Sequence, residues 1–145
     1  MEYIYAFLFA SASTLFFAMS VRSSFKTALV AGVLGGIGYF LYVLFVQTMS
    51  AALAVFIATF VVCMLAECAA RIIKTPATVI SIPTIFPLVP GVSLYETLLV
   101  FGRGDNTGGT SMAVQTLLIA GSMSLAVTIA TIIAKAVFKK RRLKP

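Results

Sequence analysis

The sequence predicts an all-α integral membrane protein of about five transmembrane helices, and three observations lead there. Of the 145 residues, 61% are hydrophobic and 10% charged, whereas soluble domains run near half apolar and a quarter charged. Apolar windows fall at 3–20, 28–47, 51–73, 78–101 and 112–137, each of a length to cross a hydrocarbon core of about 30 Å. With five alternating crossings, Arg22, Lys26, Arg71, Lys74, Lys135, Lys139, Lys140, Arg141, Arg142 and Lys144 gather on one side, ten of the 11 Lys and Arg, and only Arg103 lies on the other. Cytoplasmic ends hold such an excess, so the N-terminus is placed outside and the C-terminus in the cytoplasm.

The first window could imitate a secretory signal, with Ala10-Ser11-Ala12 as a cleavage-like site. No Lys or Arg precedes it, so residues 1–20 read as a mature span. In the second window, Gly32 and Gly36 form a G-x-x-x-G spacing, which reads as a face for close helix packing. The third holds Cys63 and Cys68, taken as small core hydrophobes on different sides of a helix. It also holds Glu67 and, four residues on, Arg71, the favourable order for an ion pair on one helix face. Glu67 lies only about 9 Å from the cytoplasmic helix end by helix rise, so the two readings are a structural or gating pair and a proton carrier. Gly102–Ser111 is the one hydrophilic loop, and the hydroxyls of the fifth window, Ser122, Ser124, Thr128 and Thr131, are expected to bond back to their own helix. The whole of 1–145 forms a single transmembrane domain.

Composition removes several classes of function. With no His, four Asp and Glu, and two Cys, the chain lacks the clustered groups of a metal site or an acid–base active site, so neither an enzyme, a metal nor a cofactor is expected. The basic tail is explained by anionic lipid of the bilayer, without nucleic acid. Arg103-Gly104-Asp105 in a Gly-rich loop is too short a signal for an adhesion role.

The fourth window is the informative one. Pro83, Pro87, Pro90 and Gly91 fall around the middle of an apolar segment. Proline removes a backbone donor and clashes with the preceding turn, so the helix is expected to break. Backbone freed at that depth is tolerated where protein or a water-filled cavity satisfies it. Many secondary transporters build a substrate site this way, aiming the positive end of a half-helix at an anionic group. The second half-helix would begin near Gly91, with the amides of Gly91 to Ser93 offered to a carboxylate and Tyr95 and Glu96 in its first two turns. One proline would suffice for a packing kink, and three favour a functional break. Glu96 has no opposite charge within a helical turn, so it must be neutral, paired with another helix or facing water, and it is the stronger candidate for proton coupling.

The run Pro87-Leu88-Val89-Pro90-Gly91 with Tyr95 following, preceded by Pro76 and an Arg-bearing span end, resembles the C-terminal half of the threonine/serine exporter family. In particular it looks like the small subunit of the split, two-component form, among whose bacterial relatives is a succinate exporter. The likeness covers the chain in length and span layout, and the specific motif covers Pro83 to Tyr95. Glu67 and Glu96 match no motif of the family. The resemblance implies an exporter of a small carboxylate metabolite, an amino acid or a dicarboxylate, driven by the proton gradient across the inner membrane of a bacterium. It also implies a larger membrane subunit as partner, a homo-oligomer being the other way to complete the machine. Five spans look like one repeat of a transporter that needs two. The alternative is a non-transporting scaffold or assembly subunit.

Overall fold

The computed structural model describes residues 2–142, with side chains over 3–138; Lys144 and the side chains of Lys139, Lys140, Arg141 and Arg142 lie outside the described residues. Six α-helices and one short turn of 3-10 helix follow in order: α1 Glu2–Ser20, α2 Phe25–Phe45, α3 Ala51–Ile73, α4 Ala77–Ile85, the 3-10 turn Phe86–Leu88, α5 Gly91–Gly102 and α6 Asn106–Arg142. Four are long and apolar enough to cross a membrane, and α4 with α5 makes a fifth candidate bent by 46° at its break.

Helix pairing settles how these segments run. Tyr3 at the start of α1 accepts a hydrogen bond from Gln47, beyond the end of α2, at 2.7 Å, so α1 and α2 form an antiparallel hairpin. Helices α3 and α6 are parallel: Ala51 and Ala52 lie by Leu118 and Ile119 at one end, and Arg71 lies over Phe138 at the other. Between them the chain must therefore return from the Ile73 end to the Asn106 end, and α4 with α5 is the segment that crosses. A re-entrant loop would bring it back to the side it left. Arg22, Lys26, Arg71, Lys74 and Lys135 all fall at the end that holds Ile73 and Phe138, as the sequence requires.

Small residues hold the bundle together, and large apolar ones face outward. Ala18, Ala28, Ala31, Leu34, Ala66, Ala70 and Ile80 form one buried cluster, and Val55, Ala58, Val62, Leu88 and Met123 another. Phe9, Ile72, Val92 and Leu117 are among the most exposed side chains. Lipid solvates such groups as well as a protein core does, so helix contacts are left to residues that permit close approach. The glycine face of α2 works in this way. A Cβ built on Gly36 would overlap Ser11 and come within 2.9 Å of the Phe7 ring, and one on Gly35 would overlap Thr14.

Several boundaries differ from expectation, each for a local reason. The second span starts at Phe25 rather than 28, because Ser24 caps it and accepts from the Thr27 amide at 3.4 Å. The hydrophilic loop shrinks to three residues because Asp105 caps α6, accepting from the Gly108 amide at 2.9 Å. The last helix therefore runs from Asn106 to Arg142 and extends beyond the expected span 112–137 at both ends. Pro83 does not interrupt its helix: it sits buried inside α4. The Thr84 hydroxyl donates to the Ile80 carbonyl at 2.7 Å, beside the place where the proline removes a backbone donor.

Candidate functional site

The break lies halfway along the fourth crossing. Nine residues of α4 and the three of the 3-10 turn precede it, and the twelve of α5 follow. Val89 is extended, Pro90 forms the N-cap of α5, and no side chain caps the new helix. Proline sets this cap by geometry, since its ring fixes φ and carries no donor. The Gly91 amide turns back to the Val89 carbonyl at 2.7 Å, and the first helical bond runs from the Leu94 amide to the Pro90 carbonyl at 3.1 Å. Of the three amides expected to face a carboxylate, Gly91 is thus engaged. Val92 and Ser93 remain at the positive end of α5, in positions whose N–H groups a helix cannot pair by itself.

These two residues line a cavity of about 150 Å³ into which four parts of the chain converge: Tyr39 and Tyr42 from α2, Val55 from α3, Ile119 from α6, and Pro87 to Pro90 from the break. This is a small space, well below that of drug-sized ligand pockets. The two phenol rings sit 5.9 Å apart. Tyr39 and Pro87 also border a wider groove of about 510 Å³ against α1, lined by Ala6, Phe9 and Ser13, so these two side chains stand between the cavity and the larger opening. The site combines phenols, free amides and the positive end of a helix in an apolar wall, an arrangement suited to holding one carboxylate.

The remaining site residues predicted from sequence distribute unevenly. Pro87, Pro90 and Ser93 line the cavity. Pro83 is deeper in α4, and Gly91 borders open space, with nothing within 4 Å of a built Cβ. Tyr95, 66% exposed, and Glu96 project from the outer surface of α5 and do not reach the cavity. Glu67 and Arg71 form the expected pair at 3.3 Å near the inner end of α3, the acid 12% exposed and the base 42%; they lie apart from the break. Cys63 is buried, but Cys68 is exposed rather than part of the core. In α6, Ser124 and Thr128 bond back to the carbonyls of Ala120 and Ser124 at 3.0 and 2.8 Å, as lipid-embedded hydroxyls are expected to do. Sequence reasoning missed Tyr39 and Tyr42, whose spacing of three puts both on one helix face.

A bundle of membrane-spanning helices, one of them broken beside a small cavity near the outer ends of α2 and α3, is a build that transporters use. Residues 6–133 match the family model described as Threonine/Serine exporter, ThrE. That span reaches from α1 well into α6, and the chain belongs to this family. It matches no curated protein and no solved structure.

Proposed function

We propose that this chain is one membrane subunit of a proton-coupled exporter of small carboxylate metabolites, threonine- or serine-like amino acids or a dicarboxylate such as succinate, in the inner membrane of a bacterium. The observation that supports this reading is the cavity at the break, which Val92 and Ser93 of the first turn of α5 line together with Tyr39 and Tyr42. A carboxylate there gains charge-assisted hydrogen bonds and the favourable end of the α5 dipole. The scaffold alternative gives no role to the helix-terminal amides and tyrosines gathered around this cavity.

The partner is a larger, unlike membrane subunit. Helix α5 packs on α6 within the chain, and its other faces expose Val92, Leu94, Tyr95 and Leu98 together with Glu96. An acid on a lipid-facing helix requires a donor, a cation or water opposite it. Pairing two copies through this face would bring a second acid to the same depth, and the nearest base, Arg103, is seven residues further out. An unlike partner with a donor or base at that level satisfies Glu96 directly. The test is efflux of preloaded labelled threonine, serine and succinate from cells expressing this chain alone, the larger subunit alone, or both. Export only from the pair is expected; robust export by this chain alone in liposomes would overturn the two-subunit reading.

A further inference from the structure

We propose that the groove between the inner ends of α3 and α6 binds the headgroup phosphate of an anionic phospholipid from the cytoplasmic leaflet. The groove encloses about 810 Å³ and is lined by Cys68, Arg71, Ile72, Lys74, Thr75 and Phe138, among others. Cys68, Arg71 and Ile72 recur at helical spacing and share one face of the end of α3, and Thr75 follows just beyond its C-cap. The floor is a cation held in place: the Arg71 guanidinium carbon lies 3.8 Å from the centre of the Phe138 ring, and one of its nitrogens donates to Glu67 at 3.3 Å. A guanidinium carries five N–H donors in a planar fork, so one bond to Glu67 and a ring beneath it leave edge donors for phosphate oxygens.

Lys74 supplies the second cation from an unusual position. It closes α3 in the left-handed region, at φ 60°, while the Thr75 amide reaches the Ala70 carbonyl at 2.9 Å. This is the helix-ending geometry that glycine normally occupies. Arg22 does the same at the end of α1, at φ 59°, on the same side of the membrane. A lysine kept where glycine would be less strained places its charge at the groove rim and beside the negative end of the helix. Beside the two cations the lining is apolar, with Cys68, Phe138 and the 82% exposed Ile72. A soluble anion would gain nothing from those walls, whereas an acyl chain fits them. Basic pockets between helices on the cytoplasmic side are the places where anionic headgroups bind. The proposal rests on the membrane orientation and not on transport.

The test is native mass spectrometry of the full chain purified from phosphatidylcholine nanodiscs doped with phosphatidylglycerol. Wild type is expected to retain phosphatidylglycerol preferentially. Lys74→Gly, which relieves the left-handed residue and so keeps the helix end intact, should reduce that retention about fivefold, the effect of one cation near a lipid surface. Lys135→Gln, at the same end but outside the groove, should leave retention unchanged. Equal losses in both variants would mean diffuse attraction rather than a site and would overturn the proposal. So would full displacement of the lipid by millimolar inorganic phosphate or glycerol phosphate, which would make the occupant a soluble anion.

Discussion

Replacing Gly91 by leucine separates a substrate site from a packing kink. A side chain built at this position meets nothing within 4 Å, so the substitution has space and forces no helix to move. Its backbone has no positive φ to strain, and exchanging glycine at a compatible position stabilises by about 0.4–1 kcal/mol through the unfolded chain. Inserted protein and melting temperature should therefore stay at or slightly above wild type. Gly91 opens α5 directly before Val92 and Ser93, and on the proposed reading a leucine side chain there obstructs the approach of a carboxylate to their amides. A hydrogen bond to a charged group contributes about 1.5–3 kcal/mol, so losing one lowers apparent affinity about ten- to hundredfold. The assay is efflux of labelled substrate from cells carrying both subunits, with insertion and co-purification of the partner measured alongside. Wild-type export by Gly91→Leu would refute the site and leave the broken helix as a packing feature.

Three further outcomes follow from the same geometry. Gly36→Ala should lower thermal stability, because the overlap with Ser11 and Phe7 costs about 1–3 kcal/mol of overpacking against about 1 kcal/mol gained in helix propensity; a melting temperature above wild type would show that α1 yields freely. Glu96→Gln, nearly isosteric but unable to ionise, should permit substrate exchange while removing the response to an imposed pH gradient, and an unchanged response would place the proton site at Glu67 or on the other subunit. With Cys63 and Cys68 replaced, an impermeant maleimide applied to intact cells should label Asn106→Cys and not Arg142→Cys; labelling at 142 would overturn the orientation.

The elements were legible where one strong local rule acted alone. Pro90 and Gly91 mark the break because proline cannot donate and the residue before it leaves the helical region. Pro83 obeys the same rule and yet stays within α4: a single proline removes one bond, and burial among neighbouring helices outweighs it. Ser24 and Asp105 could have been read as helix caps, since each accepts from the amide three residues on; hydropathy windows cannot see a cap, and so began both spans late. Tyr39 and Tyr42 were harder. Tyrosines within two turns of a span end read as an interfacial belt, and only the approach of Pro87 and Ser93 from a distant part of the chain turns them into cavity walls.

The two halves of the broken helix are held unequally, and that inequality bears on how the site is completed. Helix α4 packs on α1, α2 and α3, while α5 has one substantial neighbour, α6. The Thr97 and Thr116 hydroxyls meet across that pair at 3.3 Å, and Thr97 also donates to the Ser93 carbonyl at 2.7 Å, within the first turn of the half-helix. Local stability follows local contact density, so the half that carries the free amides is the less firmly held of the two. A substrate site needs those amides fixed in direction, because a carboxylate is recognised only by donors aimed at it. The chain itself provides one side of that support, through Thr97 and α6. On the proposed reading the partner provides the other by covering the face that exposes Tyr95 and Glu96, so that assembly both orders the half-helix and satisfies the acid upon it.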